Sequence, residues 1–370
     1  MIHAPSASPA ESESALEPGP DGPVQAGLWQ QLAAAAQAEE AGTRAISRSI
    51  DLLRAAHLLT EDGVTDPAAT ARTLMQVGAA NLSVGRLWEG HVNALRLIDL
   101  YGTSLQSLTI RQQIAQGAFL GVWGADGETP VTWVDGETHL RGGKNYASGL
   151  GTVTHALVSV NAGPAVRLAL VEVTDPRRAD TAAWDMRGMK ASASGRFDCD
   201  ALPVASADWI GAPGEYLKEP HFVGGVWRIA ALQVGAATGL LDRAATELRA
   251  SGRMQAEMQK ARLMTVLTRA WAGMALVEKA ALAAADPAQA PDEVVSLSIA
   301  ARLFTEEVGL DALRAVEQSL GLRHFVADSD TGRAARDLSV YLRQVARDAF
   351  LQRAADDTLC RNGRIWGLFA

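Results

Sequence analysis

The chain has 370 residues, of which 48% are hydrophobic and 21% are charged, and these proportions fit a globular protein of about two to three domain-sized units. Its 34 Lys and Arg residues face 42 Asp and Glu residues, and the formal net charge of -8 argues against nucleic acid as a partner. Two cysteines, Cys199 and Cys360, and the lack of an H-E-x-x-H pattern exclude a disulfide scaffold and predict no metal site. No apolar run reaches the roughly 20 residues of a spanning helix, so no membrane segment is expected.

The first 26 residues are rich in Pro, Ser, Glu and Gly, and the first basic residue of the chain is Arg44. This composition, which has no apolar periodicity, predicts a disordered tail over residues 1–26. A secretory signal needs a basic region followed by an apolar one, and a mitochondrial presequence needs arginines, so neither is expected. We therefore expect a cytoplasmic protein.

The segment 27–117 is predicted to be an N-terminal helical domain, because apolar residues such as Leu87, Val92 and Leu95 recur at helical spacing. Short runs rich in Val, Leu and Thr follow from about Phe119 and are bounded by Gly, Pro, Asn or Asp, as is typical of strands. The connections between these runs are too short for crossover helices. We therefore expect an antiparallel sheet in a central β domain over 118–212.

Long periodic stretches rich in Ala, Leu and Arg fill the segment 213–370 and predict a C-terminal four-helix bundle, with helices over 226–247, 254–285, 292–320 and 332–355. The order of helices, sheet and helices predicts the α+β class. It excludes a Rossmann domain, which alternates strands and helices and opens with a glycine-rich turn. Patterns of the P-loop and of the serine-hydrolase elbow are also absent.

Four segments, taken with this order of elements, carry a resemblance to a known family. Residues 118–124 (AFLGVWG) stand where the family has an aromatic-x-V-T-E-P strand, and residues 140–149 (LRGGKNYASG) are similar to its L-x-G-x-K-x-[WY]-[IA]-[TS]-[NG] pattern. Residues 187–192 (RGMKAS) look like its G-M-R-x-S turn, and residues 332–337 (GRAARD) are similar to its E-R-x-x-R-D segment. Over Leu28 to Ala355 the chain thus resembles the acyl-CoA dehydrogenase family of flavoproteins.

The resemblance implies an acyl-CoA dehydrogenase-like fold, a bound FAD or FMN, and a homodimer or homotetramer. It also implies a redox partner, either an electron-transfer flavoprotein or a flavin reductase. On the matching positions, Tyr146 would form a wall beside the flavin and the Ser148 hydroxyl would lie near its N5 atom. Val122 and Trp123 would contact the flavin from the preceding strand. Without the resemblance, Tyr146 and Trp123 would be interpreted as core aromatics of a sheet.

The family also brings an arginine to the flavin diphosphate of a neighbouring subunit, and Arg249 is the nearest residue to that position. A surface arginine is the alternative interpretation. The family's catalytic glutamate is missing, because Val345 and Trp227 stand at the two positions where it occurs. Asp337, Asp348 and Glu89 are the nearby carboxylates that would have to replace it as a base.

The missing base favours a monooxygenase branch of the same fold, in which reduced flavin reacts with oxygen. His91 resembles a histidine that some of those enzymes place near the flavin, and with Glu89 it is the candidate catalytic group. The alternative for His91 is a buried, hydrogen-bonded core histidine. His324 stands at a loop from which it could approach the flavin on the other side, and an ordinary loop histidine is the alternative there.

Three functional hypotheses follow. The first is a flavin-dependent oxidoreductase that acts on an acyl-CoA or similar acyl substrate by hydride transfer to flavin N5. The second is a two-component monooxygenase that uses reduced flavin and O₂ on a small aromatic or other organic substrate. The third is a non-catalytic relative that binds acyl-CoA or a partner protein.

Overall fold

The computed structural model describes residues 23–60, 65–134, 136, 138–343 and 347–361. Most of the predicted tail, residues 1–22, lies outside the described residues, and the first helix begins at Pro23.

The N-terminal part of the chain is helical, with five helices described between residues 23 and 115. Their bounds are α1 (Pro23–Glu40), α2 (Ser47–Ala55), α3 (Pro67–Ala80), α4 (Leu82–Tyr101) and α5 (Ser104–Ala115). Three of them begin at side-chain caps, because Asp66, Asn81 and Thr103 each accept a hydrogen bond from a backbone N–H in the first turn. Helix α4 is buried over most of its length and carries both candidate catalytic residues.

The central part forms two small sheets. Its strands are β1 (Leu120–Trp123), β2 (Thr132–Trp133), β3 (Gly143–Lys144), β4 (His155–Ala162), β5 (Ala165–Glu172), β6 (Ala179–Asp180), β7 (Arg196–Asp198) and β8 (Trp209–Ile210). The first sheet has the order β1-β4-β5-β8, with β2 also on β4, and the second has the order β3-β7-β6.

The prediction that the sheet is antiparallel throughout is wrong, because β1 and β2 run parallel to β4. Leu120 pairs with His155 and Trp123 with Val158, and further along the same edge Thr132 pairs with Asn161. Between β2 and β4 the chain leaves this sheet and forms β3 of the second sheet. It then re-enters the first sheet as β4, which lies beside β1 and runs in the same direction, so no crossover helix is needed. The remaining pairs, β4-β5, β5-β8, β3-β7 and β6-β7, are antiparallel as predicted.

The C-terminal part is again helical, with α6 (Trp227–Ala250), α7 (Glu257–Ala285), α8 (Pro291–Leu320), α9 (Asp330–Tyr341) and α10 (Arg347–Leu359). The predicted helix over 332–355 is two helices, since α9 ends at Tyr341 and α10 begins at Arg347. Helix α6 lies at the centre of the bundle and packs against α3, α7, α8 and α9. The α+β class with a helix–sheet–helix order is confirmed.

A continuous hydrophobic core joins the three parts of the chain. In the described part of the chain, no helix is both long enough and apolar enough to cross a membrane. The same residues contain no group of three His, Cys, Asp or Glu side chains that could hold a metal ion.

Candidate functional site

A cavity of about 690 Å³ lies where β1, the loop after β3, the loop before β7, α4 and α9 meet. Its wall contains two aromatic and several apolar side chains, and its polar atoms come mainly from serines and arginines. The arginines are Arg86 from α4, Arg187 before β7, Arg336 from α9 and Arg343 just after it. No Asp or Glu of the described residues lines it. A cavity of this size with few, convergent polar groups is typical of a small-molecule site.

Tyr146 forms one wall of this cavity. Its side chain is 61% exposed, although the residue lies in the middle of the β domain, and its ring meets that of Trp184 edge to face with 6.2 Å between centroids. Its backbone is left-handed, with φ +53°, which is uncommon outside glycine and occurs often at ligand sites. The ring is therefore held out of the sheet core, where a flat ligand can pack against it.

Three serines form a hydrogen-bonded chain at the cavity. The Ser194 hydroxyl donates to Ser148 Oγ at 3.0 Å and lies 2.9 Å from Ser192 Oγ, and the Ser192 hydroxyl donates to the carbonyl oxygen of Met189 at 2.7 Å. Ser192 and Ser194 are buried, and all three serines line the cavity. The Ser148 hydroxyl, one of the predicted flavin contacts, thus accepts from Ser194 and donates to the Tyr146 carbonyl oxygen at 3.4 Å.

The two predicted contacts on β1 face opposite ways, as neighbouring strand residues do. Val122 lines the cavity. Trp123 is buried behind it, where its indole N–H donates to the Ser148 carbonyl at 3.1 Å and its ring packs on Phe197. Trp123 thus supports the backbone of Ser148 from behind and is not part of the cavity wall.

His91 is buried between α4 and the start of β1. Its Nδ1 accepts a hydrogen bond from the Leu120 N–H at 3.0 Å, and its Nε2 lies 2.7 Å from the carbonyl oxygen of Leu59 and donates to it. Its ring stacks on Phe119. Burial lowers the pKa of the imidazole from 6.5 to about 4, so the ring is neutral at pH 7. Both nitrogens have backbone partners and the ring does not line the cavity, so the geometry favours a structural role.

Glu89 lies on another face of α4 and is held by two arginines. Its Oε2 is 2.8 Å from Arg86 Nη1 and its Oε1 is 3.3 Å from Arg228 Nε. The carboxylate is buried, and Arg86 is the member of the group that lines the cavity. Both oxygens are engaged by guanidinium groups, so the arrangement suits an electrostatic role better than proton abstraction.

The other predicted residues do not line the cavity. Arg249 is in the last turn of α6, where it donates to Thr246 Oγ1 at 2.9 Å. Asp337 accepts from the Met189 N–H at 2.7 Å and pairs with Arg333, so it ties α9 to the loop before β7. Asp348 is exposed and lies near Arg347, and His324 bonds to Thr331.

The two family base positions supply no carboxylate. Trp227 is buried at the start of α6, and Val345 lies outside the described residues.

No protein-family model matches the chain, and no curated protein matches its sequence. Its fold, in contrast, matches solved structures along nearly the whole chain. FMN-bound TdsC from Paenibacillus sp. A11-2 has a TM-score of 0.80 at 16% identity, over 90% of this chain and 95% of that one. The chain has the acyl-CoA dehydrogenase fold.

Two further proteins share this acyl-CoA dehydrogenase fold. KijD3, solved with FMN and a dTDP-linked amino sugar, has a TM-score of 0.75 at 18% identity, over 92% of this chain and 95% of that one. Methanesulfinate monooxygenase MsuC from Pseudomonas fluorescens has a TM-score of 0.73 at 16% identity, over 94% of this chain and 97% of that one.

Sequence reasoning missed the arginines and the two inner serines of this cavity. Arg187, Ser192 and Arg336 lie inside segments that carried the resemblance to the acyl-CoA dehydrogenase family, so a local signal existed for them. Ser194 and Arg343 lie just beyond those segments and have no motif of their own. They reach the cavity only because the fold brings β7, α9 and β1 together.

Proposed function

We propose that the protein is a flavin-dependent monooxygenase that binds FMN in this cavity and receives reduced flavin from a separate reductase. The observation that carries the proposal is the cavity itself, which combines the Tyr146 wall and the Ser148 hydroxyl with four arginines and has no carboxylate in its described lining. The FMN complexes of TdsC and KijD3, which share the fold, support it.

The charge of the cavity fits a flavin phosphate. A phosphate monoester carries two negative charges near pH 7, and arginine is the side chain best suited to bind one in two-point geometry. Arg187 and Arg336 lie on the cavity, and neither makes an ion pair with a described residue. FMN is also the flavin bound in the structures of TdsC and KijD3, which share the fold. We therefore favour FMN over FAD.

The residues of the wall have separate roles in this proposal. Tyr146 packs against the flavin ring, and Ser148, held by Ser194, presents a hydroxyl to the ring edge. Reduced flavin, when bound, supplies the two electrons with which dioxygen is cleaved, so that one oxygen atom enters the substrate and the other leaves as water.

The same cavity disfavours dehydrogenation of an acyl-CoA. That reaction needs a carboxylate to remove the α proton of the substrate, and no Asp or Glu of the described residues lines the cavity. Glu89, which lies behind the lining residue Arg86, is engaged by Arg86 and Arg228. Monooxygenation needs no such base, so a small organic molecule is the favoured substrate class.

Removal of the Tyr146 ring tests the site. We expect Tyr146→Ala to raise the Kd for FMN about ten-fold or more, because stacking against a flat ring contributes on the order of 1–3 kcal/mol. FMN fluorescence quenching measures this Kd. Phe325→Ala is the control, since Phe325 is similarly exposed, at 62%, and lies outside the cavity. An unchanged Kd in Tyr146→Ala would contradict the site.

The reaction class needs a second measurement. Oxygen consumption with a flavin reductase, NADH and a panel of small aromatic substrates, coupled to oxygenated product, supports the proposal. Enoyl product from an acyl-CoA with an artificial electron acceptor would instead identify a dehydrogenase. A protein that binds neither FMN nor FAD would be the non-catalytic relative.

A further inference from the structure

A buried polar cluster lies between α4, α6 and α9, beside the cavity. It consists of Arg86, Glu89 and Asn93 from α4, Arg228 from α6 and Tyr341 from α9, and we call it the arginine cluster. Glu89 lies 2.8 Å from Arg86 Nη1 and 3.3 Å from Arg228 Nε, and Arg228 Nη2 donates to Asn93 Oδ1 at 2.6 Å. Glu89, Arg228 and Tyr341 are all buried.

The charges of this cluster do not balance. Two guanidinium groups face one carboxylate, which leaves one positive charge in excess beside the nearly buried side chains of Arg228 and Glu89, which are 4% and 8% exposed. Burial lowers the pKa of Arg228, and its attraction to Glu89 opposes that effect. Buried charge is costly unless it is paired, so the excess charge favours an anionic ligand.

Several buried donors of the cluster also have no hydrogen-bond partner within the described ranges. These are Arg228 Nη1, Arg86 Nε and the Tyr341 hydroxyl. Such atoms are rare in folded proteins because each loses its hydrogen bonds to water without replacement. All three can donate a hydrogen bond, so the missing partner is an acceptor.

The cluster is continuous with the cavity. Arg86 belongs to both, and Tyr341 follows the lining residue Val340 on α9. On the side of β1, the Tyr216 hydroxyl lies 3.4 Å from the place that a Cβ on the lining residue Gly124 would take. The same hydroxyl interacts electrostatically with Glu89 and Arg228. Arg86 thus connects the cluster to the cavity wall, and Arg228 and Tyr341 are buried behind it.

We propose that the arginine cluster binds an oxyanion of the substrate, such as a carboxylate or sulfonate, through Arg228 and the Tyr341 hydroxyl. This inference rests on the proposed function, because the flavin occupies the part of the cavity beside Tyr146. The substrate is then a small organic acid whose apolar body lies between the flavin and the Met and Val side chains of the wall. The oxyanion would accept hydrogen bonds from the donors that have no partner, and its negative charge would balance the positive charge of the second guanidinium group.

The test compares benzoate with benzamide, which has the same shape and no charge. Calorimetric titration of the purified protein, with and without FMN, should give a Kd for benzoate at least about ten-fold lower than for benzamide. Tyr341→Phe should raise the benzoate Kd several-fold and leave the melting temperature unchanged or higher, because the hydroxyl that it removes has no partner in the fold.

Tyr101→Phe is the matched control. Tyr101 also has a buried hydroxyl without a partner among the described residues, but it lies twelve residues after Glu89 on α4, about 18 Å along the helix. We expect unchanged affinities for benzoate and FMN in this variant. Arg228→Gln provides a second test of the cluster and should abolish the preference for benzoate over benzamide.

Three results would overturn the inference. They are equal affinities for benzoate and benzamide, an unchanged benzoate Kd in Tyr341→Phe, and a loss of FMN affinity in that variant without a loss of benzoate affinity. The last result would assign the cluster to the flavin phosphate. The FMN titration keeps the two proposals apart, since a protein that selects benzoate and binds no flavin would contradict only the proposed function.

Discussion

Glu89 and His91 are two residues apart on α4, and the helix sends their side chains in different directions. Two residues correspond to a rotation of about 200° around a helix. Glu89 therefore meets α6, where Arg228 pairs with it, whereas His91 meets the first strand and hydrogen-bonds to Leu120. Glu89 forms an ion pair with the buried Arg228, whereas the His91 ring stays neutral because burial lowers its pKa to about 4.

The neutral state of His91 makes the stability of the fold depend on pH. Its pKa is about 4 in the folded protein and 6.5 when it is exposed, so the unfolded chain binds the proton more readily between these values. The contribution of His91 to the free energy of unfolding, roughly 3 kcal/mol, should therefore be fully present above about pH 6.5 and be lost as the pH drops toward 4.

Urea unfolding at pH 7.5 and pH 5 measures this dependence. In His91→Gln the difference between the two pH values should shrink, because the titrating group is gone, although the variant is less stable at pH 7.5. His139→Gln is the control, since His139 is exposed and its substitution should leave the wild-type difference in place. If the free energy of unfolding of His91→Gln changed between pH 7.5 and pH 5 as much as that of the wild type, the pH dependence would belong to other groups.

At the scale of elements, glycines let α3 of the N-terminal part pack directly on α6 of the bundle. A Cβ on Gly235 would overlap the carbonyl oxygen of Met75, and one on Gly239 would overlap that of Ala79. The two helices therefore approach backbone to backbone, and this contact fixes the N-terminal helices relative to α6.

Substitution of Gly235 should separate these helices. We expect Gly235→Ala to lower the free energy of unfolding by about 1–3 kcal/mol, because a backbone atom cannot move aside as a side chain does. Gly273→Ala on α7 is the matched control. Its Cβ would meet only side chains, at 3.3 Å or more, so the better helix propensity of alanine should keep the stability equal or raise it. Thermal unfolding separates the two outcomes, and equal losses would refute the argument.

The local sequence predicts the bounds of some helices well, and it predicts other breaks and strand pairings poorly. Local periodicity predicts α6, α7 and α8 to within a few residues, because each carries its own apolar face. It does not reveal the break between α9, which ends at Tyr341, and α10, or the parallel pairing of β1 with β4, since both depend on residues far away in the sequence. The residues of the cavity differ in the same way, because some share one local motif and others meet only through packing.

Tyr146 and Ser148 lie within one motif, and the sequence suffices to place them together. Arg86 lies on α4, Arg336 lies on α9 and Arg343 follows α9, so no single motif contains all three. Only the packing of α4 against α9 brings them to one cavity. The same packing turns His91 away from it.

At the scale of the whole molecule, the charge of the cavity opposes that of the chain. The chain has a formal net charge of -8, yet the described lining of the cavity contains four arginines and no carboxylate. A positive cavity in a chain of negative net charge attracts anionic ligands locally. Both an FMN phosphate and an acidic substrate agree with this distribution.

One face of α7 suggests how copies of the chain associate. Met264, Trp271 and Leu282 are 44%, 51% and 51% exposed. Steps of seven and eleven residues are close to two and three helical turns, so the three side chains lie along one face. An exposed apolar stripe of this kind is typical of a subunit interface. We therefore expect a dimer or tetramer that buries this face.

Sedimentation at micromolar protein tests this prediction. Trp271→Arg should shift the protein toward the monomer, because the charge and bulk of arginine cannot be buried opposite a second copy of the same face. Lys260→Glu, an exposed change on the same helix, is the control and should sediment as the wild type does.

Arg249 adds a functional readout, since a contact with the flavin of a neighbouring subunit requires assembly. If that contact exists, Trp271→Arg and Arg249→Ala weaken FMN binding alike, and if it does not, Trp271→Arg dissociates the protein without a change in FMN affinity.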